Sequence, residues 1–168
     1  MGMSWARALA EGRVSQAVDV YAVYKALFRG ERPDAKYEPY CDAASFFSLT
    51  FVTPAFRQYL EDFLKKLAAG ESEVYLMPAM LGAGKSHFLA LVLHVLALYR
   101  RCNGVGACVK RELERFKVEL WLPDLPKTPS VYVFHGEYEL SEEARRLRSV
   151  DDKDKLRRVL REDAPVVL

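Results

Sequence analysis

The sequence predicts an α/β fold in which a mostly parallel sheet is flanked by helices. A short apolar run at 74–77 precedes a glycine-containing turn, a long apolar run at 87–99 follows it, and a β-branched and aromatic run lies at 130–134. Short runs of this kind are typical of buried strands. A helix that is apolar nearly all round is buried on most sides, which suits a helix packed across a sheet. The order strand, helix, strand therefore favours the α/β class.

The turn between the first strand and the long helix carries the most specific motif of the chain. Residues 79–86 read Ala-Met-Leu-Gly-Ala-Gly-Lys-Ser, and a strand, such a turn and a helix opening with Lys-Ser form a phosphate-binding loop. A polyphosphate needs converging backbone N–H groups and a helix N-terminus, and Gly82 and Gly84 let the backbone approach it. Ala79 departs from the motif, which has glycine there. The motif predicts a P-loop NTPase-like fold.

Each residue of this loop has a predicted role in binding ATP and Mg²⁺. The backbone amides of 82–86 are expected to surround the phosphates, with Lys85 at the β- and γ-phosphates and the Ser86 hydroxyl on Mg²⁺. No catalytic residue is predicted. The predicted nucleotide-binding residues are Gly82, Ala83, Gly84, Lys85, Ser86 and His87.

Length and composition indicate a soluble globular chain. Its 168 residues correspond to one domain or a piece of one, and 51% are hydrophobic and 29% charged. A net charge of +2 is too small to indicate nucleic acid or a membrane as partner. Arg7, Glu11 and Arg13 interrupt any signal-peptide core, and the longest apolar run is too short to span a bilayer. These features predict a cytoplasmic protein.

The three cysteines, Cys41, Cys102 and Cys108, support the same location. An odd count without a secretory signal is typical of reduced thiols. Cys102 and Cys108 lie close enough in sequence for a local disulfide or half of a metal site, but no matching Cys/His pair occurs elsewhere. The favoured interpretation is therefore two separate loop thiols.

The chain is predicted to divide into a helical extension at 1–70 and a P-loop core at 71–168. In the first part, helical spacing predicts a helix over 14–29 ended by Gly30, and Thr53 and Pro54 predict the start of a second helix that ends before Gly70. In the second part, the pattern predicts an amphipathic helix over 109–121, an extended proline-containing linker over 123–129 and the strand at 130–134. A final helix from 151 and a strand at 166–168 follow.

Two histidine positions and one acid are further candidates. His87 and His94 lie seven residues apart on one face of the long helix, where a metal or proton-relay role competes with the favoured reading of His94 as a core histidine. His135 and Glu137 follow the strand at 130–134, at the end of a sheet where ligands bind in α/β folds. Glu137 as an ordinary loop acid is the favoured alternative.

With these residues in order, the chain resembles the N-terminal part of a prokaryotic family of large AAA-type P-loop ATPases of unknown function. That family has the loop Gly-Gly-Gly-Lys-Thr-His before an apolar helix, and residues 82–87 read Gly-Ala-Gly-Lys-Ser-His. Upstream, this chain has an aromatic pair and threonines ahead of a helix, as that family does. Downstream, residues 131–137 resemble the family's next strand and turn. The upstream residues are Phe46, Phe47, Thr50 and Thr53.

The resemblance implies ATP–Mg²⁺ binding by an AAA-type hydrolase domain. The acidic Walker B pair of that family should follow an apolar strand, whereas 166–168 ends the sequence. We therefore expect a fragment that binds nucleotide, hydrolyses it slowly and self-associates through an open strand edge or joins a larger assembly. Two alternatives remain open: a small nucleotide or metabolite kinase, and a non-catalytic interaction module with a degenerate loop.

Overall fold

A computed structural model describes residues 11–12, 15, 17–71, 75, 84–133 and 165–167. Helix α1 (Val20–Tyr24) continues as a π-helical turn (Lys25–Arg29). The helices that follow are α2 (Glu38–Cys41), α3 (Ala43–Leu49), α4 (Pro54–Ala69), α5 (Lys85–Arg101) and α6 (Gly106–Glu114). Two strands, β1 (Ser130–Tyr132) and β2 (Pro165–Val167), complete the described elements.

The predicted P-loop NTPase-like fold, a mostly parallel sheet flanked by helices, is wrong for this chain. The described residues are mostly helical, and their strands are one parallel pair three residues long, with Val131 opposite Val166. Tyr75 is not in a strand, and the rest of the predicted strand at 74–77 lies outside the described residues. In the part of the chain that the structure describes, helices therefore pack mainly on helices and not on a sheet.

Helix α5 shows why the prediction failed. Its residues 90–96 are all buried, as the apolar pattern requires. Helix α5 is covered by α1, the π-helical turn and α6, together with Phe46 of α3 against His94 and Phe56 of α4 against Phe88. An apolar pattern around a helix demands cover on most sides but does not say whether a sheet or other helices supply it.

The helix ends agree with the sequence where a local signal marks them. Thr53 caps α4 by accepting a hydrogen bond from the Phe56 N–H at 3.2 Å, Pro54 is its first residue, and Gly70 follows it with φ of +71°. Gly30 likewise ends the first helical stretch with φ of +69°. These predicted ends are confirmed.

The start of the first helix was predicted six residues too early. Helix α1 begins at Val20 because the Asp19 carboxylate accepts a hydrogen bond from the Ala22 N–H at 3.0 Å and so caps it. Ser15 and residues 17–19 are not helical, while Val14 itself lies outside the described residues. A side-chain cap inside an apolar periodic stretch thus decides where the helix starts.

The segment after α6 is not a free linker. Helix α6 spans Gly106–Glu114 rather than 109–121, and Lys117 beyond its end has φ of +59°. The chain then returns over the α5–α6 turn, where the Leu125 N–H donates to the Gly104 carbonyl at 2.8 Å. A Cβ at Gly106 would lie 2.4 Å from the Leu122 carbonyl oxygen, so this close approach requires glycine.

A disulfide bond joins Cys102 and Cys108 across the α5–α6 turn. The interpretation of these cysteines as separate thiols is therefore wrong, because the turn brings the two ends of the loop together. The reduced state inferred from the cysteine count applies to Cys41 alone, whose buried thiol has its pKa raised to about 11 by burial.

Reducing this disulfide is expected to lower the free energy of unfolding. A cross-link between residues six apart removes conformational entropy from the unfolded chain, which for so short a loop corresponds to about 2 kcal/mol. Urea unfolding with and without a phosphine reductant measures the difference, and thiol titration verifies the reduction. The double variant Cys102→Ser, Cys108→Ser is the control that should not respond. Equal stability of the oxidised and reduced wild-type protein would contradict the prediction.

Several predicted features lie outside the described residues: the helix from 151, residues 134–137 with His135 and Glu137, and residue 168 of the last predicted strand. The division of the chain at residue 70 stays a prediction. No helix in the described part of the chain is long and apolar enough to cross a membrane.

Candidate functional site

The N-terminus of α5 is where the predicted loop residues meet in the structure. Gly84 is the N-cap with φ of +82° and ψ of 13°, and its carbonyl accepts the first helical hydrogen bond from the Phe88 N–H at 2.9 Å. Lys85, Ser86 and His87 occupy the first three helical positions. Glycine brings no capping side chain, so it leaves the first-turn N–H groups without the usual cap. Gly82 and Ala83 lie outside the described residues.

Two features favour glycine at position 84. Its φ lies in the left-handed region that other residues rarely adopt. A Cβ there would also come within 3.2 Å of the Phe56 ring carbon Cζ. Phe56 lies in the first turn of α4 and packs against Phe88 of α5, with ring centroids 5.1 Å apart. The capped first turn of α4 therefore holds the Phe56 ring against the start of α5.

The two polar residues that follow differ in their exposure. Lys85 is half-buried, whereas Ser86 is exposed to solvent. No cluster of three or more His, Cys, Asp or Glu side chains that could hold a metal occurs within the described ranges. Mg²⁺ is commonly held by one or two protein oxygens together with water and substrate phosphate, and the Ser86 hydroxyl is an oxygen of this kind.

The His87 side chain is directed to the connection between α3 and α4. Its Nε2 atom lies 2.9 Å from the Thr50 hydroxyl oxygen, and the Thr50 hydroxyl donates to the Phe46 carbonyl at 2.7 Å. Because the single hydroxyl proton is used in the second bond, the imidazole Nε2–H is the donor in the first. The His87 backbone lies at the start of α5, while its imidazole is hydrogen-bonded to Thr50 in the α3–α4 connection.

Phe46 lies between the two histidines of α5. Its ring stacks on His94 at 4.3 Å and 17°, and on His87 at 5.1 Å and 25°. The His94 Nε2 donates to the Tyr40 carbonyl at 2.9 Å, and the side chain is 2% exposed. The expectation of a satisfied core histidine at position 94 is confirmed.

Burial keeps both imidazoles neutral at physiological pH. It lowers the pKa of His94 to about 4, against the raising effect of the hydrogen bond to Tyr40 and the charge of Asp42. Burial also lowers the pKa of His87. A neutral His87 adds no charge to the positive end of the helix dipole beside it.

The contact between Thr50 and His87 was not predicted. In the sequence, Phe46, Phe47 and Thr50 are only points of resemblance to a family, whereas the structure gives each a partner. Phe47 stacks on Phe116 at 5.0 Å, Phe46 stacks on both histidines, and Thr50 accepts the His87 hydrogen bond. The partners are separated by 37 residues for Thr50 and His87, so no local periodicity could have signalled the pair.

Two open clefts among the described residues lie away from the start of α5. One, of about 390 Å³, lies between the π-helical turn, the C-terminal end of α5 and β1, and includes Arg100. Arg100 lies 15 residues along α5 from Lys85, which corresponds to about 22 Å at the rise of an α-helix. A second, of about 210 Å³, lies beside α1 and the segment that precedes α2. Neither includes a predicted loop residue.

Comparison with known proteins finds one family. Residues 14–122, about two thirds of the chain, match the family model described as the DUF499 N-terminal domain. The matched range contains α1 to α6 and the residues at the start of α5. No curated protein and no solved structure matches the chain.

Proposed function

The chain belongs to the DUF499 N-terminal domain family, whose description states no activity, and from the residues at the start of α5 we propose that it binds ATP–Mg²⁺ through residues 82–87. The observation that carries the proposal is the conformation of Gly84. A left-handed glycine at an uncapped helix start, followed by Lys85 and Ser86, presents backbone N–H groups at the positive end of a 17-residue helix.

The proposed roles follow from the chemistry of these groups. The N–H groups of the first turn would donate to phosphate oxygens, and the Lys85 ammonium would add a charge at the β- and γ-phosphates. The exposed Ser86 hydroxyl would supply one Mg²⁺ ligand. Phe56 fits this arrangement because its ring lies close to the backbone of Gly84, where a Cβ would come within 3.2 Å of it. Hydrolysis is not part of the proposal.

Three wider expectations belong to the same proposal. We propose that the chain acts as part of an AAA-type ATPase, that it associates with itself or with a larger assembly, and that it does so in the cytoplasm. The support is the likeness of residues 82–87 to the loop of an AAA-type ATPase family.

Replacing Lys85 with alanine is expected to weaken ATP–Mg²⁺ binding by about 1.5–3 kcal/mol, the scale of a hydrogen bond to a charged group. This corresponds to a loss in affinity of roughly 10- to 150-fold. Isothermal titration calorimetry measures both proteins, and Lys110→Ala, an exposed lysine of α6, is the matched control that should bind like wild type.

Two results would reject the proposed function. One is the absence of ATP–Mg²⁺ binding by folded wild-type protein. The other is equal affinity of wild type and Lys85→Ala, because binding would then not use the loop. Circular dichroism of each sample separates these results from loss of the fold.

A further inference from the structure

His87 attaches the start of α5 to the preceding segments through a hydrogen bond to Thr50 in the α3–α4 connection and a ring contact with Phe46 of α3. We propose that Thr50 and His87 form a positioning pair that sets the orientation of the α5 start for a polyphosphate. The inference rests on the proposed function, and neither side chain is placed on the nucleotide. It assigns a role to the His87 side chain, which contacts Thr50 and Phe46.

The direction of the hydrogen bonds makes the pair specific. The Thr50 hydroxyl donates to the Phe46 carbonyl at 2.7 Å and accepts from the His87 Nε2–H at 2.9 Å. A valine at position 50 would match the shape of threonine but could neither donate nor accept. The hydroxyl is therefore the atom on which the contact between the two segments depends.

Buried and hydrogen-bonded residues hold α3, at whose end Thr50 lies. The Phe46 ring is fully buried and lies against His94, whose Nε2–H is bound to the Tyr40 carbonyl. The Asp42 carboxylate caps α3 by accepting from the Ser45 N–H at 2.8 Å. Packed, hydrogen-bonded neighbours restrict movement of α3. Thr50 at its end therefore stays in place and fixes the position of the His87 side chain.

The position of His87 in the helix explains why this contact would matter for a ligand. His87 is the third residue of α5, so its backbone N–H is one of the groups that the proposed site directs at phosphate. A small displacement of groups that must converge on a ligand lowers affinity without removing any of them. Loss of the Thr50 hydroxyl should therefore act on ATP binding at a distance from the nucleotide.

The test compares Thr50→Val with Thr50→Ser. Thr50→Val removes the hydroxyl and should weaken ATP–Mg²⁺ binding by about 3- to 10-fold, the scale of one neutral hydrogen bond. Thr50→Ser keeps the hydroxyl and should restore the wild-type affinity. Asp19→Ala removes the cap of α1 and so lowers stability without touching the pair, and it should leave the affinity unchanged.

A double-mutant cycle tests whether Thr50 acts through His87. His87→Phe keeps a ring against Phe46 but removes the Nε2–H donor, so alone it should weaken binding as Thr50→Val does. On the His87→Phe background, Thr50→Val should cause no further loss, because the interaction is already absent. If Thr50→Val does not fold, His87→Phe still tests the hydrogen bond, because it removes the donor in place of the acceptor.

The outcomes separate the two proposals. Loss in Thr50→Val and recovery in Thr50→Ser, without additivity in the cycle, would support the positioning pair. Three results would overturn the positioning pair and leave the proposed function standing, provided that Lys85→Ala still weakens binding. They are wild-type affinity in folded Thr50→Val, equal loss in both Thr50 variants, and additive losses in the double-mutant cycle. Absence of ATP binding by the wild type would overturn the proposed function, and the pair with it.

Discussion

Replacing Phe46 with alanine is expected to lower the free energy of unfolding by about 3–5 kcal/mol, the usual cost of removing a buried aromatic side chain. The ring is fully buried and stacks on His87, on His94 and, edge-on, on Phe47. Its removal leaves a cavity between α3 and α5 that the two helices cannot fill without moving, because packed cores relax only in part.

Urea unfolding followed by circular dichroism measures this loss. Phe51→Ala is the matched control, since the same atoms are removed from a side chain that is 81% exposed, and surface changes typically stay within about 0.5 kcal/mol. A similar loss in both variants, or a loss below about 1 kcal/mol for Phe46→Ala, would contradict the burial of Phe46 that the helical core requires.

Acidification is expected to destabilise the protein through His94. Its pKa is about 4 in the folded state against 6.5 in the unfolded chain, with burial as the main cause. Above pH 6.5 the imidazole is neutral in both states and the stability is fully present. As the pH falls from 6.5 towards about 4, the unfolded chain binds the proton first, and about 3 kcal/mol of stability is lost.

The pH dependence of urea unfolding between pH 7 and pH 4 measures this effect, with a slope approaching about 1.4 kcal/mol per pH unit for one proton. His94→Gln retains an amide donor for the Tyr40 carbonyl but cannot titrate, so its slope should be smaller. His87 also has a lowered pKa and contributes in the same direction in both proteins.

The Asp42 carboxyl contributes at a lower pH. The Ser45 N–H lowers the pKa of this carboxyl below the ordinary value of 3.8. Its stabilising effect is therefore complete above pH 3.8 and is lost as the pH falls from there through the lowered pKa. Equal slopes for wild type and His94→Gln between pH 6.5 and pH 4 would therefore contradict the assignment to His94.

The sequence by itself determined the features that depend on neighbours a few residues apart. Thr53 and Pro54 mark the start of α4, and glycines at 30 and 70 end helices with positive φ. Gly84 adopts positive φ directly before Lys85, as the loop motif predicts. Caps and left-handed glycines act within one turn of chain, so their signals are complete in a short stretch of sequence.

Only the tertiary structure decided what covers α5, because its apolar residues predict burial and not the partner. The sequence prediction chose a sheet, whereas the described residues surround α5 with helices. The same holds for the return of 118–125 over the α5–α6 turn and for the bond between Cys102 and Cys108. The Thr50–His87 contact spans 37 residues. Such contacts depend on how the whole chain folds back, and hydrophobic burial is non-directional, so no local pattern specifies them.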